Sequence, residues 1–117
     1  MKKILIVDDE PNIVMTLEYT FKKSNYEVFI ARDGQEALDI LKTNFPDVII
    51  LDIMMPMVDG FATLEQIRKD DNLQHTKVMF LSAKNKESDI EKGLALGADA
   101  YMTKPFSIKK VVEKVEE

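Results

Sequence analysis

Two runs of four apolar residues in this chain each end on aspartate. Asp8 and Asp9 follow Ile4–Val7, and Asp52 follows Val48–Leu51. Short, continuous runs rich in β-branched residues are typical of strands buried on both faces, as in the centre of a parallel sheet. Parallel strands end at the same edge, so three carboxylates are expected to converge there. Their repulsion disfavours the fold unless a cation lies among them, so the pattern predicts a functional site.

Strands alternate with amphipathic helices along the whole chain. Each predicted strand is followed by a helical pattern, and no long linker, repeat or low-complexity tract interrupts the series. Five βα units of this kind predict one domain over residues 1–117, with a single parallel sheet covered by helices on both faces. The predicted strands are about Lys3–Asp8, Tyr26–Ile30, Val48–Leu51, Lys77–Leu81 and Asp99–Met102.

Charge and composition exclude several classes of protein. The 117 residues carry a formal net charge of −5 without any long block of Lys or Arg, so direct nucleic-acid binding is not expected. Because there is no cysteine, disulfides, thiolate metal sites and catalytic thiols are excluded. The first apolar run stops after four residues, so we expect no signal peptide, no membrane partner and a cytoplasmic location.

Other polar residues follow the remaining strands at the same predicted edge. Ser82 ends the fourth strand and Lys104 follows the fifth. Oxygen ligands without His or Cys favour Mg²⁺, with Mn²⁺ as an alternative. A carboxylate in such a site can attack phosphorus to form an acyl phosphate. Two points stay open here: Asp9 could instead be a helix N-cap, and the Lys104–Pro105 peptide bond could be cis or trans.

Four motifs resemble the receiver domain of two-component response regulators, and the resemblance extends from Lys3 to the last helix. Together and in this order they are very specific to that family. They are Ile6–Glu10, Leu51–Gly60, Leu81–Ala83 and Gly97–Phe106.

The resemblance implies a CheY-like, flavodoxin-like α/β fold: a three-layer (βα)5 sandwich with strand order 2-1-3-4-5. It implies that Asp52 accepts a phosphoryl group from a histidine kinase, a phosphotransfer protein or a small donor. By the family pattern Mg²⁺ is held directly by Asp9, Asp52 and the backbone carbonyl of Met54, and through water by Asp8. The chain is then a signalling phospho-acceptor in a phosphorelay and not an enzyme, although it assists its own phosphotransfer and slow autodephosphorylation.

The same resemblance implies a conformational switch. Ser82 and Lys104 would contact the phosphoryl oxygens, and Ser82 would act with Tyr101 on the fifth strand. The face formed by the fourth helix, fifth strand and fifth helix would then change shape for a downstream effector. Lys104–Pro105 is where the family usually has a cis peptide. Met54 and Lys84 occupy positions that influence hydrolysis of the acyl phosphate, and we expect hydrolysis to take minutes or longer.

The level of assembly is a separate expectation. Family members that dimerise to drive a DNA-binding domain usually carry a charged set where this chain has Ile90, Ala100 and Lys110. We therefore expect a single-domain regulator, either a monomer or a phosphorylation-dependent dimer. The alternative is the receiver fragment of a larger DNA-binding or hybrid signalling protein. An FMN site is disfavoured because Asp8 and its acidic neighbours would repel phosphate.

Overall fold

Five parallel strands form one sheet in the order β2-β1-β3-β4-β5, as expected. The structure is a computed structural model that describes residues 1–117. Each strand is followed by a helix, so the helices cover both faces of the sheet. The strands are β1 (Lys3–Val7), β2 (Glu27–Ala31), β3 (Val48–Leu51), β4 (Lys77–Ser82) and β5 (Ala100–Thr103). The helices are α1 (Pro11–Lys23), α2 (Gly34–Leu41), α3 (Gly60–Lys69), α4 (Glu87–Ala95) and α5 (Ile108–Glu116), with a short 3-10 helix at Asp71–Leu73.

The two strands that end on aspartate are central neighbours. Val7 pairs with Leu51 in the parallel register of β1 and β3. The backbone N–H of Asp52 donates to the carbonyl of Val7 at 2.9 Å, and that of Asp8 donates to Ala31 on the other side at 3.1 Å. This register sets Asp8 and Asp52 next to each other at the carboxyl edge of the sheet.

The apolar runs do not alternate with polar residues because both faces of the sheet are buried. Leu5 and Val7 of β1 face the layer that contains α2 and α3. Ile4 and Ile6 face the layer that contains α1 and α5. Burial of each such side chain contributes about 1.5–3 kcal/mol. The continuous apolar runs that predicted central strands therefore supply the side chains that pack against helices on both faces of the sheet.

Differences from the predicted boundaries are small. β2 and β5 each begin and end one residue later than expected. The helix starts follow ordinary capping chemistry, since the side chains of Asp33, Asp59 and Ser107 each accept a backbone N–H of the first turn. Gly97 ends α4 with φ of +108°, a conformation that glycine adopts without strain.

The loop after β3 returns closely onto the end of that strand. A Cβ atom at Gly60 would lie 2.3 Å from the carbonyl oxygen of Asp52 and 2.6 Å from the Cα of Ile53. The N–H of Gly60 donates to the carbonyl of Ile53 at 3.0 Å. Only glycine leaves room for this approach, which fixes the backbone around Asp52. None of the helices is both long and apolar enough to cross a membrane.

Candidate functional site

The carboxyl edge of the sheet brings together residues from four strand ends. Asp8 follows β1, Asp52 follows β3, Ser82 ends β4 and Lys104 follows β5. The side chains of Asp8, Asp52 and Lys104 are in direct contact. Because this contact joins residues that follow three separate strands, the arrangement is a product of the sheet topology and not of any one loop.

Asp52 is a buried carboxylate with a fixed orientation. Only 3% of the residue is exposed. Its Oδ1 accepts a hydrogen bond from the N–H of Ile53 at 2.7 Å, and its Oδ2 lies 3.4 Å from the Nζ of Lys104. One oxygen is therefore held by the backbone, while the other faces a cation. Such an orientation suits a nucleophile that must meet an incoming group from one direction.

Lys104 is the cation at the centre of the site. Its Nζ lies 2.8 Å from Oε1 of Glu10 and 3.0 Å from Oδ2 of Asp8, and its side chain is 10% exposed. Burial lowers the pKa of Lys104, but hydrogen bonds to Glu10 and Asp8 and the charge of Asp52 raise it above its usual value overall. The ammonium therefore stays charged. The Lys104–Pro105 peptide bond is cis.

Asp8 is held in an unfavourable electrostatic environment. It is 2% exposed, and burial raises its pKa above the usual value. Hydrogen bonds from the N–H of Glu10, at 2.9 Å, and from Lys104 oppose this rise, whereas the charge of Asp52 adds to it. The ionised form of Asp8 is less stable here than in water. Titratable groups whose pKa is shifted by burial and by neighbouring charges are frequent in functional sites.

The acidic residues after β1 are not placed entirely as expected. The cluster of carboxylates consists of Asp8, Glu10 and Asp52, and the exposed Asp9 does not belong to it. The third carboxylate of the cluster belongs to Glu10, for which the sequence predicted no role. Glu10 is also the N-cap of α1, so the alternative N-cap role for Asp9 is wrong. The one sequence signal for Glu10 was its place directly after two aspartates.

The residues present fit a divalent cation. Oxygen atoms of Asp8, Glu10 and Asp52 lie within 4.8 Å of one another. Three carboxylates surround the single ammonium of Lys104, so two negative charges remain without a partner in this site. Carboxylate oxygens without sulfur or imidazole are the ligands that hard cations prefer. The acidic cluster could therefore bind such a metal.

Sequence comparison identifies the family. The family described as "Response regulator receiver domain" matches residues 4–116. The chain belongs to the response regulator receiver family. A receiver domain is a signalling phospho-acceptor, and receiver domains interact with histidine kinases and effectors.

Individual relatives agree with this assignment. The receiver is 46% identical over 98% of its length to the alkaline phosphatase synthesis transcriptional regulatory protein PhoP of Bacillus subtilis. It spans about half of that relative, 47% of its length. The receiver domain of Francisella response regulator 1452 superposes with a TM-score of 0.91 at 37% identity, covering 99% of this chain and 94% of the other. The chemotaxis protein CheY4 of Vibrio cholerae gives 0.93 at 31% identity, covering 99% and 97%.

In this receiver, Ser82 and Tyr101 bind the same residue. Ser82 is fully buried, and its Oγ accepts from the N–H of Lys84 at 3.3 Å. The hydroxyl of the half-buried Tyr101 donates to the carbonyl of Lys84 at 2.7 Å. Burial, with the charges of Asp89 and Asp52, raises the pKa of Tyr101, so the hydroxyl keeps its proton. The β4–α4 loop therefore connects the two side chains.

The remaining predicted residues flank the site. Met54 lies two residues after Asp52 with its side chain exposed. The side chain of Lys84 is only partly exposed. On the far side of β5, a groove of about 410 Å³ lies between α4 and α5 and is lined by residues that include Ile90, Met102 and Lys110.

Proposed function

We propose that this receiver is phosphorylated on Asp52 in a Mg²⁺-dependent reaction, with a histidine kinase, a phosphotransfer protein or a small phosphodonor as the source. The proposal is carried by the geometry of Asp52: a buried carboxylate with one oxygen bound to the N–H of Ile53 and the other facing Lys104. A carboxylate oxygen attacks phosphorus, the bond from phosphorus to the donor breaks, and its electron pair leaves with the donor.

The neighbouring residues have distinct proposed roles. Asp9, Asp52 and the carbonyl of Met54 would hold Mg²⁺, and Asp8 would hold it through water. When bound, the ion neutralises charge on the phosphoryl oxygens; Mn²⁺ has the same ligand preference. The ammonium of Lys104 balances one further oxygen. Support for a cation comes from the carboxylates of Asp8, Glu10 and Asp52 and their two uncompensated charges. The role of Asp9, which is exposed and lies outside this cluster, rests on the family pattern alone.

We also propose that Ser82 and Tyr101 form the switch that reports phosphorylation. The Ser82 hydroxyl moves toward a phosphoryl oxygen, and the peptide of Lys84 moves with it because Ser82 accepts from that peptide. Tyr101 binds the carbonyl of the same residue, so its position depends on the loop. The groove beside Tyr101, between α4 and α5, is the proposed surface for a downstream effector.

Hydrolysis of the acyl phosphate is proposed to be slow. Met54 has no group that could orient an attacking water, and Lys84 presents a flexible cation with no acceptor. We expect a phosphorylated lifetime of minutes or longer after the donor is removed and excess EDTA is added. Loss of the phosphoryl group within seconds would contradict this.

The central proposal is tested by intact-mass measurement. The chain is incubated with acetyl phosphate and Mg²⁺ and compared with Asp52→Asn. Attack by one carboxylate adds one phosphoryl group, about 80 Da, to the unmodified chain and nothing to the variant. Equal addition to both would place the phosphoryl group elsewhere. If acetyl phosphate adds nothing, the same mass measurement is made with a phosphorylated histidine kinase as the donor. If neither donor adds a phosphoryl group, the proposal is wrong.

A second candidate is that residues 1–117 are the receiver of a larger transcriptional regulator. It is favoured by the 46% identity to PhoP, a protein about twice as long as this chain. Gel filtration of the phosphorylated chain separates the candidates. A dimer formed only after phosphorylation favours the transcriptional regulator, whereas a monomer favours a single-domain regulator.

A further inference from the structure

We propose that Glu10 is a positioning residue that controls when Lys104 is available to the phosphoryl group. This inference rests on the proposed phosphorylation of Asp52. In the unphosphorylated chain the carboxylate of Glu10 makes the shortest contact with the ammonium of Lys104. When Asp52 is phosphorylated, Lys104 exchanges Glu10 for a phosphoryl oxygen.

The distances show how Lys104 is shared. Its Nζ is 2.8 Å from Glu10 and 3.0 Å from Asp8, but 3.4 Å from Asp52. The shortest contact is therefore made with Glu10 and not with Asp52, the carboxylate proposed to react. The side chain of Glu10 is 56% exposed, whereas those of Asp8 and Asp52 are 3% and 4% exposed. Of the three partners, Glu10 is thus the one that water can most readily replace.

Helix capping gives an independent reason to assign this role. Glu10 is the N-cap residue of α1, a position where short side chains usually accept a backbone N–H of the first turn. Its side chain makes no such bond. Instead the side chain of Glu10 extends across the site and accepts a hydrogen bond from Lys104, which lies 94 positions later in the chain. The side chain of Glu10 is therefore used for the contact with Lys104 and not for the start of the helix.

The ion pair sets the direction of the effect. It exists only before Lys104 moves to the phosphoryl group, so it stabilises the unphosphorylated form relative to the phosphorylated one. Loss of the pair is expected to favour the phosphorylated form by about two- to five-fold, the size of one partly exposed ion pair. A groove of about 480 Å³ is lined by both Glu10 and Lys104.

Two substitutions separate contact from charge. Glu10→Gln removes the charge but keeps the length of the side chain. Glu10→Asp keeps the charge, but the side chain is shorter by about 1.5 Å and also favours capping the helix, so its contact with Lys104 is lost. Glu113→Gln is the matched control, because Glu113 is an exposed acid near the end of α5, beside Lys114, whose carbonyl accepts from Lys77 at the opposite edge of the sheet.

Beryllofluoride, a phosphoryl analogue, is titrated into each variant at saturating Mg²⁺ and followed by NMR. We expect both Glu10 variants to bind it about two- to five-fold more tightly, while Glu113→Gln is unchanged. In the metal-free chain, the ¹³Cε signal of Lys104 should shift in both Glu10 variants. An Asp variant that behaves like the unmodified chain in both measurements would show that charge alone matters, and would overturn the proposal.

Mg²⁺ affinity, measured by calorimetry without phosphodonor, tests the main competing role. If Glu10→Gln weakens Mg²⁺ binding and also weakens beryllofluoride binding, Glu10 belongs to the metal site and the positioning role is wrong. Failure of the proposed function looks different, since the unmodified chain would then gain no phosphoryl group. An unmodified chain that is phosphorylated on Asp52 while the Glu10 variants bind the analogue no better refutes this inference alone.

Discussion

At the carboxyl edge of the sheet Lys104 lies among three carboxylates, whereas at the amino edge Arg68 lies among carbonyls and the carboxylate of Asp99. The nitrogens of Arg68 donate at 3.0 Å to the carbonyls of Gly97 and Thr76 and to Oδ2 of Asp99. That oxygen also accepts from the N–H of Val78 at 2.9 Å. Each edge therefore has one basic side chain in contact with carboxylates. At the amino edge, called the balanced edge below, Arg68 has one carboxylate; at the carboxyl edge, called the unbalanced edge, Lys104 has three.

The difference separates a structural network from a functional one. At the amino edge the cation has one anion and its other donors are used by backbone carbonyls, so the network joins the end of α3 to the starts of β4 and β5. At the carboxyl edge negative charge exceeds positive charge, and Asp8 is destabilised by its burial. Surplus charge of one sign lowers stability and leaves the site ready for a ligand of opposite sign.

The largest expected effect on stability is at the balanced edge. Arg68→Ala removes the hydrogen bonds that the guanidinium donates to the carbonyls of Gly97 and Thr76, and it leaves Asp99 without its cation. We expect a loss of about 2–3 kcal/mol in the free energy of unfolding, since several charge-assisted hydrogen bonds disappear together. Urea unfolding measures it, with the exposed Lys69→Ala on the same helix as control. A loss equal to that of the control would show that the network does not stabilise the fold.

The unbalanced edge should respond in the opposite direction. Asp8→Asn is expected to stabilise the chain by about 1 kcal/mol at pH 7, or about 4 °C in Tm, because it removes a buried carboxylate that repels Asp52. The raised pKa of Asp8 means that folding takes up a proton at low pH. The penalty is therefore present above the folded pKa and disappears as the pH falls toward the usual value of 3.8.

Thermal unfolding of both chains between pH 7 and pH 4 tests this prediction. The advantage of the Asn variant should be largest at pH 7 and should shrink as the pH falls. A variant that is less stable than the unmodified chain at pH 7 would mean that the contact of Asp8 with Lys104 outweighs burial and repulsion.

The smallest effect is expected from the same substitution at the balanced edge. Asp99→Asn should destabilise the chain by about 0.5–1 kcal/mol, because a partly exposed ion pair with Arg68 becomes a neutral hydrogen bond. Urea unfolding at pH 7 alongside Asp8→Asn gives the direct comparison. The two edges differ as described only if the two substitutions change stability with opposite signs.

Much of the fold was predictable because each element carries its own signal. Val48–Leu51 is a strand with the bounds expected from its apolar run, and Asp33 and Asp59 cap helices as their residue types suggest. β2 and β5 were each misplaced by one residue. Strand ends depend on hydrogen bonds to neighbouring strands, so local periodicity does not fix them.

The site was only partly predictable for a related reason. Asp8, Asp52 and Lys104 could be placed at one edge because each directly follows a strand. Glu10 could not be assigned, because its contact with Lys104 depends on the path of α1 after the strand and on the distance between two loops.

The sequence by itself determined that five βα units form a parallel sheet and that carboxylates gather where its central strands end. Apolar runs and strand-end residues are sufficient for this, since they depend on burial and on the direction of the chain. Only the tertiary structure decided which carboxylates share Lys104, and that Ser82 and Tyr101 bind the same residue. Ion pairs and hydrogen bonds form or fail over about 1 Å, a precision that only the packed chain provides.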